Sequence, residues 1–147
     1  CDEAVSALDV SIQAQIIELL IGLQKDFGLS MLFISHDLSV VREVSHRVMV
    51  LYLGRIVELA DREAIYTDAR HPYTQALISA VPIPDPEIEK NRERLELTGD
   101  LPSPLDSRAQ LRFMKSKLID DPDAEQYRPQ LIEVAPGHWV AEHDPIK

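Results

Sequence analysis

Two adjacent carboxylates, Asp2 and Glu3, and one histidine, His36, are the residues of this sequence best suited to chemistry. Phosphoryl transfer from a nucleotide needs a metal near the β- and γ-phosphates. It also needs a group that orients or deprotonates the attacking water, and donors to the γ-phosphate. A carboxylate at a strand end can hold Mg²⁺, often through water, because that ion keeps several of its waters. A second carboxylate one residue on points elsewhere and can face the water as general base. A histidine on a neighbouring strand can donate to the γ-phosphate. Asp2, Glu3 and His36 suit those three roles in that order. Singly they carry little, since most Asp-Glu pairs are solvated loop charges and most histidines after a strand are structural. Their weight lies in convergence.

Convergence depends on the elements around them. Ile12, Ile16, Leu19, Leu20 and Leu23 recur at helical spacing and predict one apolar face. Gly28 is well placed to end that helix. "SMLFIS" is a continuous apolar run of strand length, as expected of a strand buried on both faces in a parallel sheet. "HDLSVVREV" predicts a helix capped by Asp37, with Leu38, Val41 and Val44 as its buried side. "RVMVLYLGRIVELA" reads as a hairpin turning at "LGR", with Gly54 supplying an unusual φ. Strand–helix alternation predicts an α/β fold with a parallel sheet and right-handed crossovers. In such sheets ligands lie beyond the carboxyl ends of the strands. Asp2 and Glu3 end one strand and His36 follows the next, so all three are expected at one sheet edge.

The 147 residues are 45% hydrophobic and 27% charged, enough for one modest domain or part of a larger one. The apolar runs are strand-length, so nothing in the sequence reads as a membrane span. The single cysteine, Cys1, cannot form an internal disulfide. A formal net charge of −10 argues against general nucleic-acid binding, which needs a basic face. Composition shifts along the chain: all 10 prolines fall between Pro72 and Pro145. The first sixty residues read as packed core, and the rest as helices and short strands separated by irregular turns.

"CDEAVSALD" with "SIQAQIIELL", then "LFISHDLSVV" and "VMVLYLGRIVE", resembles the second half of an ATP-binding-cassette ATPase. "HPYTQALISAVPIPDP" and "GDLPSPL" are similar to the tail of the subunits that energise oligopeptide and dipeptide importers. The resemblance spans essentially the whole chain. It implies an α/β fold: the C-terminal part of a P-loop NTPase (RecA-like) parallel-sheet core with a terminal β-hairpin, followed by a small irregular α+β tail. It implies the ATPase part over 1–82 and the importer-type extension over 83–147. Catalytic roles fall to Glu3, as general base, and to His36, as the switch histidine. Asp2 is implied at the magnesium, holding it through water, with Ser6 and Asp9 of the "SALD" loop facing nucleotide across a domain interface. ATP and Mg²⁺ are the implied ligands of the intact protein. The implied partners are a second ATPase domain, like or unlike, membrane permease subunits and, indirectly, a solute-binding protein, with no nucleic acid. The implied location is cytoplasmic, peripheral on the inner face of the cell membrane.

Two departures from that family stand out. No G-x-x-x-x-G-K-[ST] loop and no LSGGQ signature occur in these residues, so the chain is expected to be a C-terminal fragment, inactive by itself. Many relatives carry four tail cysteines associated with an iron–sulfur cluster. Leu111, Lys117, Ala124 and Glu142 stand near those places here, so no cluster is expected. Leu111, Phe113, Leu118, Ile119, Leu131, Ile132, Val134, Trp139 and Val140 are expected to form a small core instead. His71, His138 and His143 match no compact ligand spacing, and His71 is expected to cap or pack at the start of the "PYTQAL" helix. Two other functions fit parts of the pattern: a cassette-type ATPase of DNA repair or translation, and a non-enzymatic interaction module.

Overall fold

The computed structural model describes residues 1–82, 95, 97, 102–103, 105–106, 108–114 and 123–145. They form two compact units, Cys1–His46 and Arg47–Lys147.

In the first unit, helix α1 runs Val10–Phe27. Asp9 starts it by accepting from the N–H groups of Ser11 and Ile12, which satisfies two donors that lack helical partners. Gly28 ends it in the left-handed region, φ 61°, where glycine carries no Cβ penalty. Helix α2, Leu38–Val44, begins on Asp37, whose carboxylate accepts from Ser39 and Val40. The end at Gly28 and the start at Asp37 follow the residues marked in the sequence, whereas the Asp9 cap is not among them. The buried side follows expectation only in part, through Ile16 and Val44. Val5, Ile17 and Val40 form the core, with Ile16, Ile21, Phe33 and Val44 against it. Ile12 and Leu19 are exposed. Helix α1 is apolar over more than one stripe, and the position of its packing partners selects which stripe is covered.

The "SMLFIS" run departs further from expectation. Its parallel pairing is a single bridge, Asp2 with Ile34. Leu32 is 69% and Ile34 50% exposed. A strand is built by its neighbours' hydrogen bonds, and residues 1–3 offer this run only a short partner. Parallel pairing among the described residues is thus limited to one bridge.

The second unit holds the sheet, and it is antiparallel. Strands β1, Arg47–Tyr52, and β2, Arg55–Asp61, form the expected hairpin. Leu53 and Gly54 both take positive φ, 48° and 76°. That is the signature of a type I′ turn, whose twist matches the flanking strands. Helix α3 covers Arg62–Thr67 and α4 covers Pro72–Ala80. A short 3₁₀ turn follows at Ala109–Leu111. Strands β3, Leu131–Ala135, and β4, His138–Ala141, then pair with each other. Strand β4 also docks antiparallel on β2, giving a four-stranded sheet of order β1-β2-β4-β3. The tail therefore extends the hairpin's sheet as well as following it in sequence.

Of the expected tail core, Leu111 and Val140 are buried, while Ile132 and Val134 lie exposed on the edge strand. Leu118 and Ile119 fall outside the described residues. Leu111, Met114 and Ala124 pack together with Tyr127. Leu111 and Ala124, two of the four positions expected to replace the family's tail cysteines, thus meet in apolar packing; Lys117 lies outside the described residues. At the fourth, Glu142 bonds the Tyr127 hydroxyl and accepts from the Gln130 N–H.

Candidate functional site at the strand tips

The polar edge is built by the one parallel bridge. The Ile34 N–H donates to the Cys1 carbonyl at 2.8 Å, and the Glu3 N–H donates to the Ile34 carbonyl at 2.9 Å. These two bonds put the ends of both segments side by side. His36 follows Ile34 by two residues, and its ring comes back to Glu3. His36 Nδ1 lies 2.9 Å from Glu3 Oε1. A carboxylate can only accept here, so Nδ1–H is the donor. Both side chains remain open to solvent, at 72% and 52% exposure. Solvent access at that level leaves them free to meet a ligand.

Asp2 lies at the bridge itself with its carboxylate exposed. Ser6 turns back: its hydroxyl donates to the Glu3 carbonyl at 3.0 Å and its N–H to the same oxygen at 3.2 Å. Asp9 stands apart from this group and spends its carboxylate on the start of α1. The loop after His36 is pinned by the Asp37 N–H donating to Ser35 Oγ at 3.0 Å. Three of the five residues picked from the sequence, Asp2, Glu3 and His36, thus share one edge, with Ser6 behind them. Asp9 joins only through the chain.

The donor set suits Mg²⁺ better than a metal bound wholly by protein. Among the described residues no group of three or more His, Cys, Asp or Glu could hold an ion. A single exposed carboxylate completed by water and phosphate oxygens is how Mg²⁺ is commonly held.

A second polar group, which sequence reasoning missed, lies in the other unit. Glu58 in β2 is fully buried. Its Oε1 accepts from the Arg70 N–H at 2.8 Å and from His138 Nε2 at 2.7 Å; its Oε2 accepts from the His71 N–H at 3.0 Å. One carboxylate so joins β2, the start of α4 and β4. Strict alternation along "RIVELAD" would turn Glu58 outward if Val57 faces in. A register shift in the β1–β2 ladder lets Val57 and Glu58 both be buried. The available sequence signal was a lone acid inside an apolar strand.

His71 caps α4 as expected, accepting the Tyr73 N–H on Nδ1 at 3.2 Å. Pro72 occupies the first turn, where its missing N–H costs nothing. Tyr73 packs its ring against Tyr52 at 4.8 Å, and Phe113 packs on Tyr52 and His71. Burial, with a smaller contribution from the neighbouring His143, pushes the His71 ring down from 6.5 to about 3. Below pH 6.5 the unfolded chain takes up a proton that the folded chain refuses. The His71 contribution is therefore intact above pH 6.5 and is lost progressively towards pH 3, on the order of 4 kcal/mol in all. Asparagine at this position keeps a capping side chain without the titration. In His71→Asn, the fall in β2 amide protection over that range, corrected for intrinsic exchange, becomes shallower. An unchanged slope would assign the acid sensitivity to another group.

Known proteins agree with the sequence motifs. Residues 57–110 match the family model described as "Oligopeptide/dipeptide transporter, C-terminal region". The chain is 50% identical over 141 residues to the oligopeptide transport ATP-binding protein OppF of Haemophilus influenzae, which covers 96% of this chain and 42% of that protein. It is 52% identical over 131 residues to OppF of Escherichia coli, covering 89% of this chain and 39% of the relative. AppF of Bacillus subtilis, another oligopeptide transport ATP-binding protein, is 49% identical over 142 residues, covering 97% of this chain and 43% of its own length. The chain spans about two fifths of the length of these curated relatives. Across nearly all of its residues it is thus similar to part of these oligopeptide transport ATP-binding proteins, and residues 57–110 match the transporter C-terminal region.

Proposed function

We propose that this chain forms the hydrolytic edge and tail of an ATPase subunit that powers oligopeptide import. The observation that supports this most directly is the 2.9 Å contact between Glu3 and His36 across two adjacent strand tips. Glu3 takes the proton of the attacking water, and His36 donates to the γ-phosphate. With Nδ1–H committed to Glu3, the ring must carry a proton on both nitrogens to donate from Nε2 as well. Asp2 would hold Mg²⁺ through water; that ion, when bound, neutralises charge on the β- and γ-phosphates. Ser6 and Asp9 belong to a loop that meets a second ATPase domain, of the same or another kind.

The sequence contains no G-x-x-x-x-G-K-[ST] motif, so hydrolysis is assigned to the intact protein. In this reading residues 1–82 belong to a parallel-sheet, P-loop-type core and 83–147 to the importer-type extension. Permease subunits are the membrane partners, a solute-binding protein delivers the peptide to them, and the subunit works on the cytoplasmic face. No helix among the described residues is long and apolar enough to cross a membrane, which agrees with separate membrane partners. The test is uptake of a labelled oligopeptide into vesicles carrying the intact protein and its permease. Uptake that requires Mg-ATP on the side of this subunit is expected. Uptake independent of ATP, or nucleotide turnover linked instead to nucleic acid, would overturn the assignment.

A further inference from the structure

Glu3 holds an unusual backbone. Its φ is 46°, in the left-handed region that residues with a Cβ seldom adopt. Such a conformation costs on the order of 1–3 kcal/mol and persists only where neighbours over-determine it. Glu3 is held on both sides. Its N–H is tied to Ile34, and its carbonyl takes two hydrogen bonds from Ser6, at 3.0 Å from the hydroxyl and 3.2 Å from the N–H. The sign of φ at Glu3 sets the direction in which its side chain leaves the strand tip. That direction brings Oε1 to 2.9 Å from His36 Nδ1.

We propose that Ser6 is a positioning residue for Glu3: its side chain clamps the Glu3 carbonyl, keeps the residue in its left-handed turn and so aims the carboxylate. This rests on the reading of Glu3 as general base, and it gives Ser6 a task within its own chain in addition to any at a domain interface. Of the two Ser6 bonds, the backbone one survives any substitution, so the hydroxyl is the part that mutation can remove. Ser6→Ala keeps the turn's N–H and loses one of the restraints that hold φ positive. Ser6→Thr restores a hydroxyl at the same atom.

The test uses the intact protein in three variants. Ser6→Ala is expected to lower kcat for ATP about tenfold, equivalent to about 1.4 kcal/mol, and to leave KM for ATP within about twofold. Ser6→Thr is expected to recover most of the rate. Adding Ser6→Ala to Glu3→Gln is expected to cause no further loss, because aim is irrelevant once the base is gone. A readout separate from turnover is the ¹⁵N shifts of the His36 ring in protein without nucleotide. Glu3→Gln changes the partner of Nδ1, and Ser6→Ala is expected to move the same signals in the same direction, with Ser6→Thr close to wild type. Wild-type kcat and ring shifts in Ser6→Ala, with Glu3→Gln inactive, would overturn the Ser6 inference alone. Full activity in Glu3→Gln would overturn the general-base reading on which it stands.

Discussion

Replacing Glu3 by glutamine lowers the ATP turnover of the intact protein about 10²–10⁴-fold, the usual contribution of a positioned base. Glutamine has the same shape and can still bond His36, but it cannot accept a proton from water. Asp2 is untouched, so Mg-ATP binding stays near wild type, and calorimetry against turnover separates the two effects. Peptide uptake falls with hydrolysis. His36→Ala removes a donor to the phosphate and is expected to cost about 10²–10³-fold, the scale of one lost transition-state hydrogen bond. Because Glu3 and His36 touch at 2.9 Å, the double variant loses less than the product of the two single losses. Glu3→Gln with unimpaired hydrolysis would remove Glu3 from the chemistry. Two strictly independent losses would mean that the contact has no bearing on catalysis.

The second large effect is on stability. Glu58→Ala is expected to destabilise the Arg47–Lys147 unit by about 3–5 kcal/mol, because three donors lose their buried acceptor at roughly 1–3 kcal/mol each. The carboxylate is fully buried and serves the Arg70 N–H, the His71 N–H and His138 Nε2 together. Alanine leaves two helix-start donors and one imidazole unpaired in a dry place. Glu58→Gln costs less, about 1–3 kcal/mol, because one oxygen still accepts while the amide hydrogens oppose a donor. Hydrogen exchange of β2 and α4 amides in the intact protein reads both values. The pattern of loss is as informative as its size. Protection should fall at β4 as well as at the start of α4, since one side chain ties both to β2. A Glu58→Ala protein within about 1 kcal/mol of wild type, or one that loosens at α4 alone, would contradict this account.

What could be read from the residues and what could not divides along the range of the forces involved. The sequence by itself determined the local devices. Asp37 caps a helix because a short carboxylate reaches N–H groups two and three residues on, and Asp9, read only as a loop residue, does the same. Gly28 and Gly54 sit where positive φ is required. His71-Pro72 starts α4 for reasons contained in one helical turn. The motifs also identified the relatives and put Glu3 and His36 at one edge. Only the tertiary structure decided the rest. Which stripe of α1 is covered depends on where Val5 and Val40 lie. The "SMLFIS" run makes one bridge because a strand's bonds belong to its partner as much as to itself. Glu58 looks like a surface acid until a register shift turns it inward and two segments distant in sequence bring it three donors. Strand β4 meets β2 across 80 residues, from Glu58 to His138. No propensity or spacing encodes such a pairing, since its free energy comes from surfaces that exist only once both partners have folded.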